Sequence, residues 1–231
     1  MWNAKFVIRL IVGVIWNLVI FGGLMFGVSG TLHWARAWWF LAVMLVLAVV
    51  GMVTVFRADP ELLKERFKPP IQKGQPRVDR VLVIALLLAF LAVVSFIPID
   101  IFHLHLLPQP DLLVSCFGFV LFIAGWCIVL LAMKANTFAA LVVRHQTERH
   151  QEVIDSGVYH IVRHPMYAGA ILFFVGMPLW LGSYAATLLA VIPIAVLAVR
   201  IVFEEQFLRR KLAGYDSYTQ RVRYRLVPHL W

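Results

Sequence analysis

Apolar residues run in long blocks along this chain, and polar residues gather between them. Blocks able to cross about 30 Å of hydrocarbon, roughly 20 helical residues each, recur near 8–28, 37–56, 81–99 and 112–133, with weaker ones near 167–182 and 185–203. The pattern predicts an all-α, polytopic integral membrane protein with five to six transmembrane helices. One structural unit is expected: four helices within 1–133, then at 134–231 an inward loop, a helical hairpin over 167–203 and a C-terminal segment. The first block is too long for a secretory h-region and no small-residue cleavage site follows it, so an uncleaved first helix is expected.

Hydrophobic residues make up 62% of the 231, and charged residues only 14%. That balance lies outside the range of soluble domains. The net charge of +9 would suit a nucleic-acid partner if it formed one surface. Instead, of the 21 Lys and Arg, all but Arg36 fall at the start of the first block (Lys5 and Arg9), after the second, after the fourth, or from the end of the last onward (Arg200 and beyond). A nucleic-acid partner is therefore not expected. The bias sets topology: both termini are predicted cytoplasmic, in a bacterial-type inner membrane or its equivalent, which favours six crossings.

The outward connections are short, while the inward ones are long and chemically mixed, so function is sought on the inward side. In "ADPELLKERFKPP", Asp59 suits an N-cap and Pro60 a first helical turn, and Leu62, Leu63 and Phe67 give one apolar edge. A short interfacial helix near 59–68 is expected. Gly22, Gly23 and Gly27 are read as a close helix contact, and Trp16, Trp34, Trp38 and Trp39 as an aromatic belt. Cys116 and Cys127 lie within one apolar block and read as packing residues. Past residue 203 a helix should stop near Gly214 and a second begin after Asp216. This basic, tyrosine-rich tail reads either as a surface anchor or as a flap over a pocket.

Four of the eight histidines, His145, His150, His160 and His164, share the inward segment 134–166 with Glu148, Glu152 and Asp155. A metal site is not expected. Pro165 disfavours the helix that would align His160 with His164, and no second inward loop brings histidines.

The order Gly157-x-Tyr159-x-x-x-Arg163-His164-Pro165-x-Tyr167, then an apolar hairpin, then Glu204-Glu205, Tyr215 and Tyr218, resembles the isoprenylcysteine carboxyl methyltransferase and phospholipid methyltransferase superfamily. The resemblance covers about residues 134–228. It implies an integral membrane methyltransferase using S-adenosylmethionine without a Rossmann fold, releasing S-adenosylhomocysteine, with a cytoplasm-facing cofactor pocket and a C-terminal cytoplasmic helix. No GxGxxG fingerprint follows a strand-like run. Carried over, the resemblance gives cofactor contacts to Tyr159, His164, Pro165, Met166 and Tyr167, and to the His150–Ile154 stretch, including Gln151 and Val153. Gly157, Arg163 and Glu205 join this set through the same motif. Glu204 would bind the cofactor and Arg200 would face the substrate, the two forming the expected catalytic pair. His150 sits one residue farther from Tyr159 than the family pattern has it, so either His150 or Gln151 takes that place.

The residue types suit such a ligand. S-adenosylmethionine carries a sulfonium, an ammonium, a carboxylate, a ribose and a flat adenine. Arg163 or His164 can donate to the carboxylate, Glu204 can accept from the ammonium or ribose, and Tyr159 and Tyr167 can stack or hydrogen-bond. Arg200 and Glu204 stand four positions apart on one helix face, where charge facing lipid is expensive. The expected reaction is an in-line methyl transfer to a lipid-like acceptor from the bilayer, a carboxylate more readily than an amine. Two alternatives share the pattern: a sterol-reductase-type enzyme using NADPH, and a non-enzymatic membrane protein that keeps the pocket. Oligomeric state is not legible.

Overall fold

The computed structural model describes residues 4–144 and 146–231. His145 lies outside the described residues, as do the side chains of Lys5 and Arg9. Every regular element described is helical. Helix α1 (Ala4–Ser29) is followed by α2 (Ala35–Gly51), which widens into a π-helical turn at Met52–Phe56. Next come the short α3 (Pro60–Arg66), α4 (Arg77–Ile99), α5 (Leu112–Ala135) and α6 (Pro165–Leu181). The chain closes with α7 (Tyr184–Leu189), α8 (Val191–Lys211) and α9 (Tyr215–Arg221).

Among the described residues, five helical stretches are long and apolar enough to span a membrane: Ile11–Ser29, Ala35–Val55, Arg77–Leu104, Leu112–Ala135 and Tyr184–Lys211. Helix α6, with 17 residues, is shorter. It nevertheless runs the length of the bundle. Its first residue follows His164 at the basic end, and past its last the Ser183 hydroxyl donates to Asp100 at 2.6 Å. Trp180 near that far end donates to the Arg36 carbonyl at 3.3 Å. Gly182, at φ +110°, turns the chain back, and Ser183 caps α7 by accepting from the Ala186 amide at 2.9 Å. Pro193 lacks the N–H that would bond the Leu189 carbonyl, and the helical path breaks at Ala190 between α7 and α8.

Lipid tails are as apolar as leucine, so helices in a membrane associate where small residues let backbones approach. The sequence suggests Gly22, Gly23 and Gly27 for this role. The structure corrects that: a Cβ added at Gly23 or Gly27 would meet nothing within 4 Å, and at Gly22 only a leucine methyl at 3.6 Å. The close contact lies between α5 and α6, the most extensive helix pair. A Cβ at Gly125 would stand 2.5 Å from the Gly169 carbonyl, and one at Gly169 would stand 2.5 Å from the Gly125 carbonyl. One turn-pair away, a Cβ at Gly176 would stand 2.5 Å from the Gly118 carbonyl. An aromatic core including Phe21, Phe40, Phe122, Phe173 and Phe174 fills the space between this pair and α1, α2 and α4.

Other sequence expectations are also revised. Trp34 is buried and packs edge-on to Phe102, whereas Trp16, Trp38 and Trp39 remain exposed on the helix exteriors. Both cysteines are exposed on α5. Helix α3 is present, and the Asp59 carboxylate accepts from the Leu62 amide at 2.9 Å. Its buried edge is Leu62 and Leu63, while Phe67 is exposed. Helix α8 ends at Lys211, and Gly214, at φ +82°, starts α9 at Tyr215 and does not terminate the preceding helix.

Candidate functional site

At the basic end the chain between α5 and α6 folds as an ordered loop, held mostly by side-chain hydrogen bonds. The Asn136 side chain accepts from the Phe138 amide at 2.8 Å, and the Thr137 hydroxyl bonds the Asp59 carboxylate. The buried Gln146 donates to the Phe138 carbonyl at 2.8 Å and accepts from Arg149 at 2.8 Å. Arg144 bridges Glu65 at 3.0 Å and Glu148 at 2.5 Å. These bonds fix α3 against the loop. Burial pushes the Glu65 carboxyl upward, but its bonds to Lys68 and Arg144 outweigh this and hold it below the usual carboxylate range.

Farther along, Gly157 at φ +59° permits the tight turn Gly157–His160. His164 is non-helical (φ −124°, ψ 58°) and Pro165 takes the first position of α6. The His160–His164 pair therefore never shares a helical face. His160 is exposed, and among the described residues no three His, Cys, Asp or Glu side chains converge on a point.

Between the loop, α6, α8 and α9 lies a cavity of about 280 Å³. Of the residues singled out from the sequence, Gln151, Val153, Ile154, Tyr159, Arg163, His164, Met166, Tyr167, Arg200 and Glu204 line it. His150, Gly157, Pro165 and Glu205 do not. His150 is exposed at a left-handed turn (φ 50°), while Gln151 accepts from the Gln146 amide at 2.8 Å at the cavity wall. Gly157 and Pro165 act through the backbone.

Glu205 lies behind the wall and organises it. Its carboxylate takes Arg163 Nε at 2.7 Å, His164 Nε2 at 3.2 Å and Arg225 Nη2 at 3.1 Å. Arg163 Nη1 donates further to the carbonyls of Val222 and Arg223, each at 2.7 Å. The amides of Arg163 and His164 donate to the carbonyls of Tyr224 and Arg225, both at 2.9 Å. The tail is thus bound over the loop, and the Tyr218 hydroxyl donates to the Tyr159 carbonyl at 2.8 Å. Burial pushes the Tyr159 phenol up to about 12 and raises those of Tyr215 and Tyr218 as well. All three line the cavity with neutral phenols.

On the facing wall, Glu204 accepts the Tyr167 hydroxyl, and the Tyr167 ring stacks 5.5 Å from that of His164. Arg200 is buried and lies 5.7 Å above the Tyr167 ring. Its Nε donates to Asp79 at 2.9 Å and its Nη2 to the Leu141 carbonyl at 2.7 Å. Asp79 was not singled out from the sequence. It also accepts from the Val143 amide at 2.9 Å and from Gln75 at 2.7 Å. The signal was present: an acid in the first turn of a spanning helix needs a cation as much as Arg200 needs an anion. Arg66, Asn136 and Arg144 also line the cavity without having been singled out. Beside it, a second hollow of about 210 Å³ shares Val143 and Glu204 and runs between α4 and α8, past Val78, Phe203 and Phe207.

Comparison with known proteins falls on the same part of the chain. Residues 113–214 match the family model of phospholipid methyltransferase. The chain is 32% identical over 113 residues to "Protein-S-isoprenylcysteine O-methyltransferase B" of Arabidopsis thaliana, covering 47% of this chain and 57% of that protein. It is 32% identical over 113 residues to a "Probable protein-S-isoprenylcysteine O-methyltransferase" of Oryza sativa subsp. indica, covering 47% and 59%. It is 33% identical over 100 residues to "Protein-S-isoprenylcysteine O-methyltransferase A" of Arabidopsis thaliana, covering 42% and 50%. The match thus spans little more than half the length of these relatives. The segment matched by the family model holds the loop, α6, α8 and the wall residues from Gln151 to Glu204, and over it the chain is similar to the phospholipid methyltransferase family.

Proposed function

We propose that this protein is a membrane methyltransferase that binds S-adenosylmethionine in the cavity at its basic end and methylates a lipid-like acceptor, at a carboxylate in preference to an amine. The observation that carries this reading is the coincidence of two independent features. The segment matching the methyltransferase family is the one that walls the cavity, and its side chains there form the mixed polar and aromatic set such a donor requires. Arginine-rich connections at that end favour a cytoplasmic position for it.

The donor set fits the proposed cofactor. Glu204 offers a carboxylate to an ammonium or ribose. Tyr159, Tyr167, Tyr215 and Tyr218 contribute aromatic rings to the lining, and Leu197 and Phe174 close the apolar side. When bound, S-adenosylmethionine supplies an electrophilic methyl group on a sulfonium. The protein's work is then positioning and exclusion of water. Tyr167 holds the Glu204 carboxylate in place. Asp79 and the Leu141 carbonyl hold the Arg200 guanidinium, which is placed to orient an acceptor carboxylate. A carboxylate nucleophile is already deprotonated and calls for no general base. Arg163 and His164 shape the wall, because Glu205 and the tail take up Arg163 Nε and Nη1 and His164 Nε2.

The second hollow supports an acceptor that arrives from the bilayer. Val78 and Phe203 at its edge are exposed on apolar helices, and Glu204 joins it to the cofactor cavity. The reading is tested by titrating the purified protein in detergent with S-adenosylhomocysteine and with NADPH. Binding of the first alone is expected, and Glu204→Ala should weaken it. Binding of NADPH alone would move the protein to the reductases, and binding of neither would leave a non-enzymatic role.

A further inference from the structure

Four arginines line the cavity, and three are neutralised by carboxylates: Arg144 by Glu65 and Glu148, Arg163 by Glu205, and Arg200 by Asp79. Arg66 is different. Its neighbour Glu65 is committed to Lys68 at 2.5 Å and Arg144 at 3.0 Å. Among the described residues, Arg66 Nη1 makes one long contact, 3.4 Å, to the Ala139 carbonyl, and no carboxylate. A part-buried guanidinium that lines the same cavity as Arg200 has no carboxylate partner among the described residues, which leaves it short of an anion. The fixed fork of an arginine suits a carboxylate in two-point contact.

We infer that Arg66 is the anchor for the amino-acid carboxylate of the bound methyl donor, contributed by a helix outside the family-matching segment. This rests on the proposed methyltransferase function and deepens it. The alternative anion, the acceptor's own carboxylate, belongs on the other side of the cavity. Val143, Glu204 and Asp79, the ion-pair partner of Arg200, border the second hollow, whereas Arg66 does not line it. Arg66 also reaches the loop at Ala139, and Arg200 reaches it at Leu141, so the two cations divide the cavity between them. Helix α3 would then be a reader of the donor as well as an interfacial helix. Its position depends on the Asp59–Thr137 and Arg144–Glu65 bonds.

The test measures binding to the full chain in detergent by calorimetry, with S-adenosylhomocysteine and with its decarboxylated analogue. For the wild type, the carboxylate-bearing ligand should bind more tightly. Arg66→Gln should weaken S-adenosylhomocysteine by about 10- to 100-fold, the worth of a charge-assisted hydrogen bond, and leave the analogue's affinity unchanged. Arg66→Lys should recover part of the loss, which a general structural defect would not allow. Equal loss of both ligands, or no loss of either, would overturn the assignment. Unchanged S-adenosylhomocysteine affinity with a raised KM for the acceptor would reassign the anion to the acceptor and also overturn it. A wild type that binds neither ligand would overturn the methyltransferase reading itself, and this inference with it.

Discussion

Asp79→Ala removes the anion that holds Arg200, and its cost can be worked from the contacts. Asp79 and Arg200 are both buried, 2.9 Å apart, and the same carboxylate takes the Val143 amide and the Gln75 side chain. Truncation leaves Arg200 with the Leu141 carbonyl as its hydrogen-bond partner and the Tyr167 ring beneath it, and strands the buried Val143 N–H. Breaking one side of a buried ion pair costs about 3–5 kcal/mol. The double variant Asp79→Ala/Arg200→Met removes the stranded charge, so it should be more stable than the sum of the single losses, with a coupling of about 2–3 kcal/mol. The assay is reversible unfolding in mixed micelles for the four proteins of the cycle. An Asp79→Ala protein within about 0.5 kcal/mol of wild type, or additive single effects, would refute the pairing as the feature that fixes Arg200.

Other consequences concern packing, acidity and the tail. Gly125→Ala and Gly176→Ala should each destabilise by about 1–3 kcal/mol through overpacking, whereas Gly23→Ala and Gly27→Ala should be neutral or stabilising, as read by thermal unfolding in detergent. Glu65 has a depressed folded-state pKa, so its contribution to stability is complete above its unfolded value near about 4.3 and is lost as the pH falls through the folded value. Glu65→Gln should therefore flatten the acid limb of a stability-against-pH curve. Tyr218→Phe deletes the bond to the Tyr159 carbonyl and should loosen the tail by about 1 kcal/mol, visible as faster hydrogen exchange of the Arg163 and His164 amides.

The spanning helices were legible because a bilayer demands long apolar blocks, and Pro60, Pro165 and the Asp59 cap marked helix starts by local chemistry. The wall from Gln151 to Tyr167 was legible because its polar residues break the pattern. Which glycines meet was not: a small residue in an apolar helix carries no mark of its partner, so Gly22 and Gly27 looked as suitable as Gly125 and Gly176. Spacing along the chain put Glu204, and not Glu205, on the Arg200 face, but it did not show what Glu205 would meet. Adjacent residues on a helix point about 100° apart, and only the packed tail shows that one faces the cavity and the other the Arg163–Arg225 cluster. Asp79 and Arg66 lie in segments whose local pattern is an ordinary interfacial one. Their meaning arises from tertiary contacts across the bundle.

The most direct measurement supplies methyl-labelled S-adenosylmethionine to membranes containing the protein and follows the label into the lipid extract. The account predicts label in an amphiphile that bears a carboxylate, released as methanol by mild alkali as a methyl ester would be, and absent with Glu204→Ala. A lipid fraction without label, or label that resists alkali, would contradict it: the first denies methyl transfer, and the second denies the carboxylate acceptor.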